Sequence, residues 1–227
     1  MSIVRKLICR LFPAPAPRVL GSVDAYALWA ANYPPQAHNA LMQVEQAAML
    51  ELMPEVSGKI VLDLACGTGR YGLLAQERGA SRVVGIDNSA AMLAAMPTAN
   101  TLPHRAQATS ESIPLASASV DVVLCGLALG HLPRLQPSLD EIGRVLKPQG
   151  WALVSDVHPF IALNGAQRTF QSSSGQTYAV EHYAHLYADY QQVGANAGLM
   201  IDSMREPALE RSPVPVVLVF RFRKMGS

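Results

Sequence analysis

The chain has 227 residues, half of them hydrophobic, with 18 Lys+Arg against 17 Asp+Glu and a formal net charge of +1. That length can bury a sizeable core, and that apolar content excludes a disordered chain. Near-neutral charge without a basic stripe interleaved with aromatics argues against a nucleic-acid partner.

The charge is uneven at the N-terminus. Residues 1–20 contain Arg5, Lys6, Arg10 and Arg18 and no acid, so a total of +1 less these four leaves −3 for the remainder. Wound as a helix, Val4, Leu7, Ile8, Leu11 and Phe12 share one face and the basic residues another. This could touch an anionic membrane surface, but a mobile arm or a short helix packed on the domain is the favoured reading. Arg10, Pro13, Pro15 and Pro17 break the apolar run, against a secretory signal, and no stretch is long enough to span a bilayer. Residues 1–20 are read as a basic arm and 21–227 as one domain.

Helices are expected over Val23–Tyr33 and Leu41–Met53, the second with Leu41, Val44, Ala48 and Leu52 on a common side, separated by Pro34-Pro35. Strands and helices then alternate: a strand at Ile60–Leu64, a helix at Arg70–Glu77, a strand at Arg82–Ile86 and a helix at Ser89–Ala95. Strands follow at His104–Ala108 and Val120–Leu124. Ser138 and Glu141 have capping-box spacing ahead of a helix that reaches Leu146. Lys147-Pro148-Gln149-Gly150 would end it before a strand at Trp151–Ser155. This rhythm indicates a parallel sheet wrapped by helices. It breaks from Val157 to Leu186, where Gln171–Gly175 reads as a hairpin tip between Arg168–Phe170 and Tyr178–Val180. A helix at Tyr187–Asn196 and strands at Leu199–Met204 and Val216–Arg223 complete the chain.

The most informative segment runs from Val61 to Gly72: Val-Leu-Asp-Leu-Ala-Cys-Gly-Thr-Gly-Arg-Tyr-Gly. It is an apolar strand ending in an acid, a glycine turn and a helix start. Gly67 and Gly69 permit positive φ and close ligand approach, and the helix N-terminus offers unpaired N–H donors. Gly67 to Gly72 also matches G-x-G-x-x-G, with Asp87 at about 20 residues further on, which is the dinucleotide pattern. Asp63 opposes a diphosphate there by charge repulsion. A cofactor with a sulfonium and an ammonium would instead welcome that carboxylate.

Five motifs in order resemble the class I S-adenosylmethionine-dependent methyltransferases, in the small-molecule branch related to ubiquinone- and biotin-pathway enzymes. They are Val61–Gly69, Val83–Leu93, Glu111–Leu115, Ser119–Val123 and Glu141–Gly150. The resemblance implies a Rossmann-like, doubly wound, mostly parallel seven-stranded α/β sheet. Its order, counting the seven strands above, is 3-2-1-4-5-7-6, with the last strand antiparallel. It implies S-adenosylmethionine as cofactor, with Asp63 and the backbone of Ala65, Cys66, Gly67 and Gly69 at the methionine end. Asp87 would take the ribose hydroxyls, Asn88 and Met92 would flank the adenine, and Ser110 and Glu111 would face its edge. Thr109 departs from the Asp of many relatives. Residues 21–56 would form a helical lid, with Tyr33 reaching the cofactor carboxylate, and 157–186 an acceptor-side insertion.

In such folds the acceptor lies outside the carboxyl ends of the strands. That selects Asp156 and His158 after the fifth strand and His131 after the fourth as catalytic candidates, His158 as a base near pH 7. Each has a plainer explanation, His158 as a loop histidine and His131 as packing at a helix head. His182, Tyr183 and His185 are candidates for the acceptor pocket. Cys9, Cys66 and Cys125 lack metal-ligand spacing, and no metal site is expected. The expected protein is a cytoplasmic enzyme that methylates O, N or C of a small organic acceptor. An NAD(P)-dependent oxidoreductase and a non-catalytic cofactor-binding module are the rivals, and the oligomeric state is open.

Overall fold

The computed structural model describes residues 16–98 and 101–226; the amphipathic pattern of the N-terminal arm falls on residues 1–15, outside them. Ten strands and seven α-helices are present among the described residues. The strands are β1 Arg18–Leu20, β2 Ile60–Leu64, β3 Arg82–Asp87, β4 His104–Gln107, β5 Val120–Gly126, β6 Leu146–Val157, β7 Thr169–Gln171, β8 Thr177–Val180, β9 Leu199–Arg205 and β10 Val217–Lys224. The helices are α1 Ser22–Trp29, α2 Ala40–Leu52, α3 Arg70–Glu77, α4 Ala90–Ala94, α5 Gln136–Val145, α6 Pro159–Leu163 and α7 Tyr187–Asn196.

The main sheet has seven strands in the order β4-β3-β2-β5-β6-β10-β9, parallel except where β10 runs antiparallel to β6 and β9. This is the expected order. Val61, Leu62 and Leu64 of β2 and Val122 to Leu124 of β5 are all buried, because helices cover both faces of a parallel sheet. One apolar cluster lies under α2 and α3 and includes Met42, Met49, Leu52 and Tyr71. The other lies under α5 and α7 and includes Leu139, Ile142, Tyr190 and Phe220. After β4 the chain crosses the sheet to start β5 beside β2, so the switch in strand order falls between β2 and β5. A crevice opens at the carboxyl ends of the strands there.

Several local expectations need correction. Ser138 does not cap α5; it is buried inside the helix, and its hydroxyl pairs with that of Ser110 at 2.8 Å. Glu141 accepts the Ile113 N–H and pairs with Arg144, whose guanidinium also donates to the carbonyls of Ile113 and Leu115. The apparent capping pair instead fastens the loop after β4 to α5. Lys147–Gly150 does not precede the fifth parallel strand but lies within it, with Gln149 at φ 65°. Ala48 and Leu52 are buried on α2 as expected, joined by Met42, Glu45 and Met49, while Leu41 and Val44 are half-buried; Glu45 accepts from Arg70 and Ser155.

A second, three-stranded sheet was not foreseen in full. The β7–β8 hairpin is where the turn residues put it, and β1 joins β8 in parallel, Leu20 opposite Val180. The stack of Trp29 on Phe170, with centroids 4.8 Å apart, ties α1 to this sheet. Helix α1 also lies against α4.

Gly143, in the middle of α5, abuts the end of α7: a Cβ there would sit 2.4 Å from the Ala197 carbonyl oxygen. Helix propensity alone favours Gly143→Ala by about 1 kcal/mol. Steric conflict with backbone wins, so the substitution is expected to destabilise the fold by about 1–3 kcal/mol in a denaturant titration. A gain in stability would contradict this packing.

Candidate active site

The crevice between β2 and β5 is a cleft walled by the turns after both strands and by α1. Its floor is the turn after β2. Ala65, Gly67 and Gly69 hold φ of 56°, 54° and 94°, so the chain winds tightly enough to present backbone to a ligand. Gly67 is restricted by space as well: a Cβ would lie 2.9 Å from Met92 Cε.

Two buried carboxylates organise the turn. Asp63 Oδ2 accepts the Gly72 N–H at 2.7 Å, and among the described residues no bond reaches its Oδ1. Asp87 Oδ2 accepts the Gly67 N–H at 2.7 Å and Oδ1 the Ser89 N–H at 2.8 Å. Ser89 in turn caps α4 through the Met92 N–H. Burial raises Asp63 to about 7, although the Gly72 N–H and Arg70 act to lower it. Burial also raises Asp87, which the N–H groups of Ser89 and Gly67 counter.

Of the expected cofactor residues, Tyr33, Asp63, Ala65, Cys66, Gly67, Asp87, Asn88, Met92 and Ser110 line this cleft. Gly69 does not; it is the N-cap of α3, and its N–H closes the turn onto the Cys66 carbonyl at 2.8 Å. Glu111 is exposed and outside the lining, since the turn after β4 directs Ala108 and Ser110 inward instead. Cys66 and Cys125 are free and buried, and burial pushes both thiols up, so neither is a nucleophile. No metal-holding group of His, Cys, Asp and Glu occurs among the described residues.

The catalytic candidates separate. His131 lines the cleft. Its Nδ1–H donates to the Glu181 carbonyl at 2.8 Å, which leaves the Nε2 lone pair facing the Tyr26 hydroxyl at 3.1 Å and Arg168 at 3.2 Å. Burial, then Arg168, lowers His131 to about 4, so it is neutral at neutral pH. His158 and Asp156 are not in the lining. His158 caps α6 by accepting the Phe160 N–H and donates to Glu206 at 3.1 Å. Asp156 is buried and accepts from Tyr190 at 2.7 Å and from His182 at 3.3 Å. Both are corrections: each side chain is committed to a structural bond, leaving neither in reach of a ligand in the cleft.

Arg70, Tyr71, Ala108 and Arg168 also line the cleft, and the sequence reading missed them. Arg70 pairs with buried Glu45 at 2.7 Å. Tyr71 has a buried hydroxyl with no hydrogen-bond partner among the described residues, although it forms part of the cleft wall. A buried hydroxyl without a partner is costly, and a polar ligand would relieve it. The position of Tyr71 directly after the glycine turn was the available signal.

Residues 62–154, from inside β2 to inside β6, match a family model described as a methyltransferase domain. Over that stretch the chain is similar to methyltransferase domains. The chain is 36% identical over 115 residues to a malonyl-[acyl-carrier protein] O-methyltransferase of Enterobacter lignolyticus, covering 51% of this chain and 45% of that protein. It is 39% identical over 113 residues to the ubiquinone/menaquinone biosynthesis C-methyltransferase UbiE of Syntrophotalea carbinolica, covering 48% and 47%. The chain thus spans about half the length of these curated relatives. A crystal structure of a putative S-adenosylmethionine-dependent methyltransferase from Listeria monocytogenes superposes with a TM-score of 0.69 at 24% identity, over 81% of this chain and 99% of that one. These matches lend nothing to the dinucleotide reading. The cleft fits S-adenosylmethionine, the cofactor that the sequence motifs imply: it has a carboxylate free for a cation, an unpaired tyrosine hydroxyl and a narrow glycine cradle.

An ammonium placed beside Asp63 favours its ionised form, so binding such a ligand expels a proton below about pH 7. Affinity for S-adenosylhomocysteine, measured by calorimetry between about pH 5.5 and about pH 8.5, should therefore rise with pH and level off above the Asp63 midpoint. Asp63→Asn should weaken binding and flatten the profile. A flat wild-type profile would contradict the assignment.

Proposed function

We propose that this protein transfers the methyl group of S-adenosylmethionine to an oxygen, nitrogen or carbon atom of a small organic acceptor, as a cytoplasmic enzyme of class EC 2.1.1.-. The observation that carries the reading is the pair of buried carboxylates, Asp63 and Asp87, on either side of a glycine turn in one cleft. No diphosphate is favoured against them, whereas an ammonium and a ribose are. No helix among the described residues is long and apolar enough to cross a membrane.

In this reading Asp63 and Tyr71 take the amino-acid end with Tyr33, the backbone of Ala65 to Gly67 follows its chain, and Asp87 takes the ribose. Asn88, Met92, Ala108 and Ser110 enclose the adenine. Residues 21–56 act as a lid, with Tyr26 and Tyr33 in the cleft wall. Residues 157–186 form the acceptor side. When bound, the cofactor supplies an electrophilic methyl on a good leaving group. The protein's contribution is then alignment and exclusion of water, which can lower the barrier by several kcal/mol.

His131 has both ring nitrogens engaged, Nδ1 with Glu181 and Nε2 with Tyr26 and Arg168, so it positions those two side chains in the cleft wall. At about 4 it is too weak a base to abstract a proton readily near neutral pH. The Tyr26 phenol, pushed up by burial, stays protonated and donates. The site therefore favours acceptors that are already nucleophilic.

Calorimetry with S-adenosylhomocysteine and with NADH tests the cofactor assignment: binding of the first and not the second is expected, and the reverse would reject it. Asp87→Ala should weaken S-adenosylhomocysteine by about 1–3 kcal/mol through lost charge-assisted bonds. Unchanged affinity would contradict the ribose role.

A second reading retains the cofactor without methyl transfer. The crystal structure of the [4+2]-cyclase SpnF superposes with a TM-score of 0.65 at 14% identity over 94% of this chain, so this fold also serves other chemistry. Incubation with methyl-labelled cofactor and a metabolite extract separates the two readings. Labelled product supports transfer, and its persistent absence supports the alternative.

A further inference from the structure

A second cavity, open to solvent, lies between α1, the start of α2 and the 157–186 segment. Among the described residues Arg168 is the one that lines both this cavity and the cofactor cleft. Arg168 stands just before β7. Its Nη1 donates to the Leu127 carbonyl at 3.3 Å and to His131 Nε2 at 3.2 Å. The rings of Tyr26 and Trp29 flank the guanidinium at 5.7 and 5.8 Å. Its Nε and Nη2 have no partner among the described residues.

No carboxylate among the described residues lies within ion-pairing distance of Arg168. Asp156, which contributes to its field, is engaged by Tyr190 and His182. Glu181, on the wall of the second cavity, accepts the Tyr183 hydroxyl and is exposed. Arg70, the other guanidinium of the cleft, has Glu45 as its counter-ion. A guanidinium cannot shed its charge, and a largely desolvated one without a counter-ion is costly. Its free edge presents two parallel N–H groups, the geometry that grips a carboxylate. The rest of the second cavity is largely apolar, with Trp29, Met42, Val157, Ile161 and Val180.

We infer that the acceptor is an organic acid held by its carboxylate on Arg168, where the two cavities share a wall, with its apolar body in the second cavity and a reactive substituent next to the carboxylate turned toward the cofactor cleft. This rests on the methyltransferase reading for the acceptor role. The anion site itself stands on the geometry of Arg168. A bound carboxylate supplies the missing counter-charge beside a cofactor that is itself cationic at sulfur.

The test is calorimetry on the full chain with matched pairs, hexanoate against hexanamide and benzoate against benzamide, each with and without saturating S-adenosylhomocysteine. At least one acid should bind about tenfold or more tighter than its amide. Arg168→Gln should erase that preference in protein whose circular dichroism matches the wild type, and Arg168→Lys, which retains the charge without the fork, should keep part of it. Equal affinities within each pair, no binding of either acid, or a preference that survives Arg168→Gln overturns the inference. So does a large loss of S-adenosylhomocysteine affinity in Arg168→Gln, which would give Arg168 to the cofactor. If the wild-type protein fails to bind S-adenosylhomocysteine at all, the methyltransferase reading falls, and the acid–amide comparison without it still judges the anion site.

Discussion

The site depends on acids placed where the strands end and bonded to the backbone that follows. Asp63 ties the tip of β2 to α3 through the Gly72 N–H, and Asp87 ties the tip of β3 to the glycine turn through the Gly67 N–H. Each carboxylate fixes the loop and loses its water in doing so, which is why burial raises both above the ordinary carboxylate range. A cationic, hydroxyl-rich ligand restores what was lost. The strained turn and the binding preference thus have one physical origin.

The sheet supplies the geometry for this. With β2 and β5 adjacent at the switch in strand order, the turn after β2 faces Gly126 to His131 after β5. The second sheet completes the enclosure by bringing Arg168 against Leu127 and His131, while α1 brings Tyr26 over the same imidazole. Cofactor and acceptor walls therefore come from parts of the chain far apart in sequence.

Nearly all elements of the main sheet were legible, because continuous apolar runs at the rhythm of alternating strands and helices leave few alternatives, while the strand order came with the family resemblance. The glycine turn was legible as a local pattern. What failed was long-range. Nothing in the spacing of Ser138 and Glu141 shows that a loop 28 residues upstream pairs with both. The reach of His158 to Glu206 and of Asp156 to Tyr190 likewise depends on the end of β9 and on α7. Arg168 looked like a hairpin flank, and only the docking of β1 and α1 encloses it. Glu111 matched by motif, yet the turn after β4 leaves it in solvent.

The central claim is that the free edge of Asp63 receives an ammonium while Asp87 receives ribose hydroxyls. A crystal structure with S-adenosylhomocysteine soaked into the full chain tests it most directly. The account predicts the amino nitrogen within hydrogen-bonding distance of Asp63 Oδ1 and both ribose oxygens on Asp87. A nucleoside seated with its ribose away from Asp87, or an amino group turned from Asp63, would contradict it.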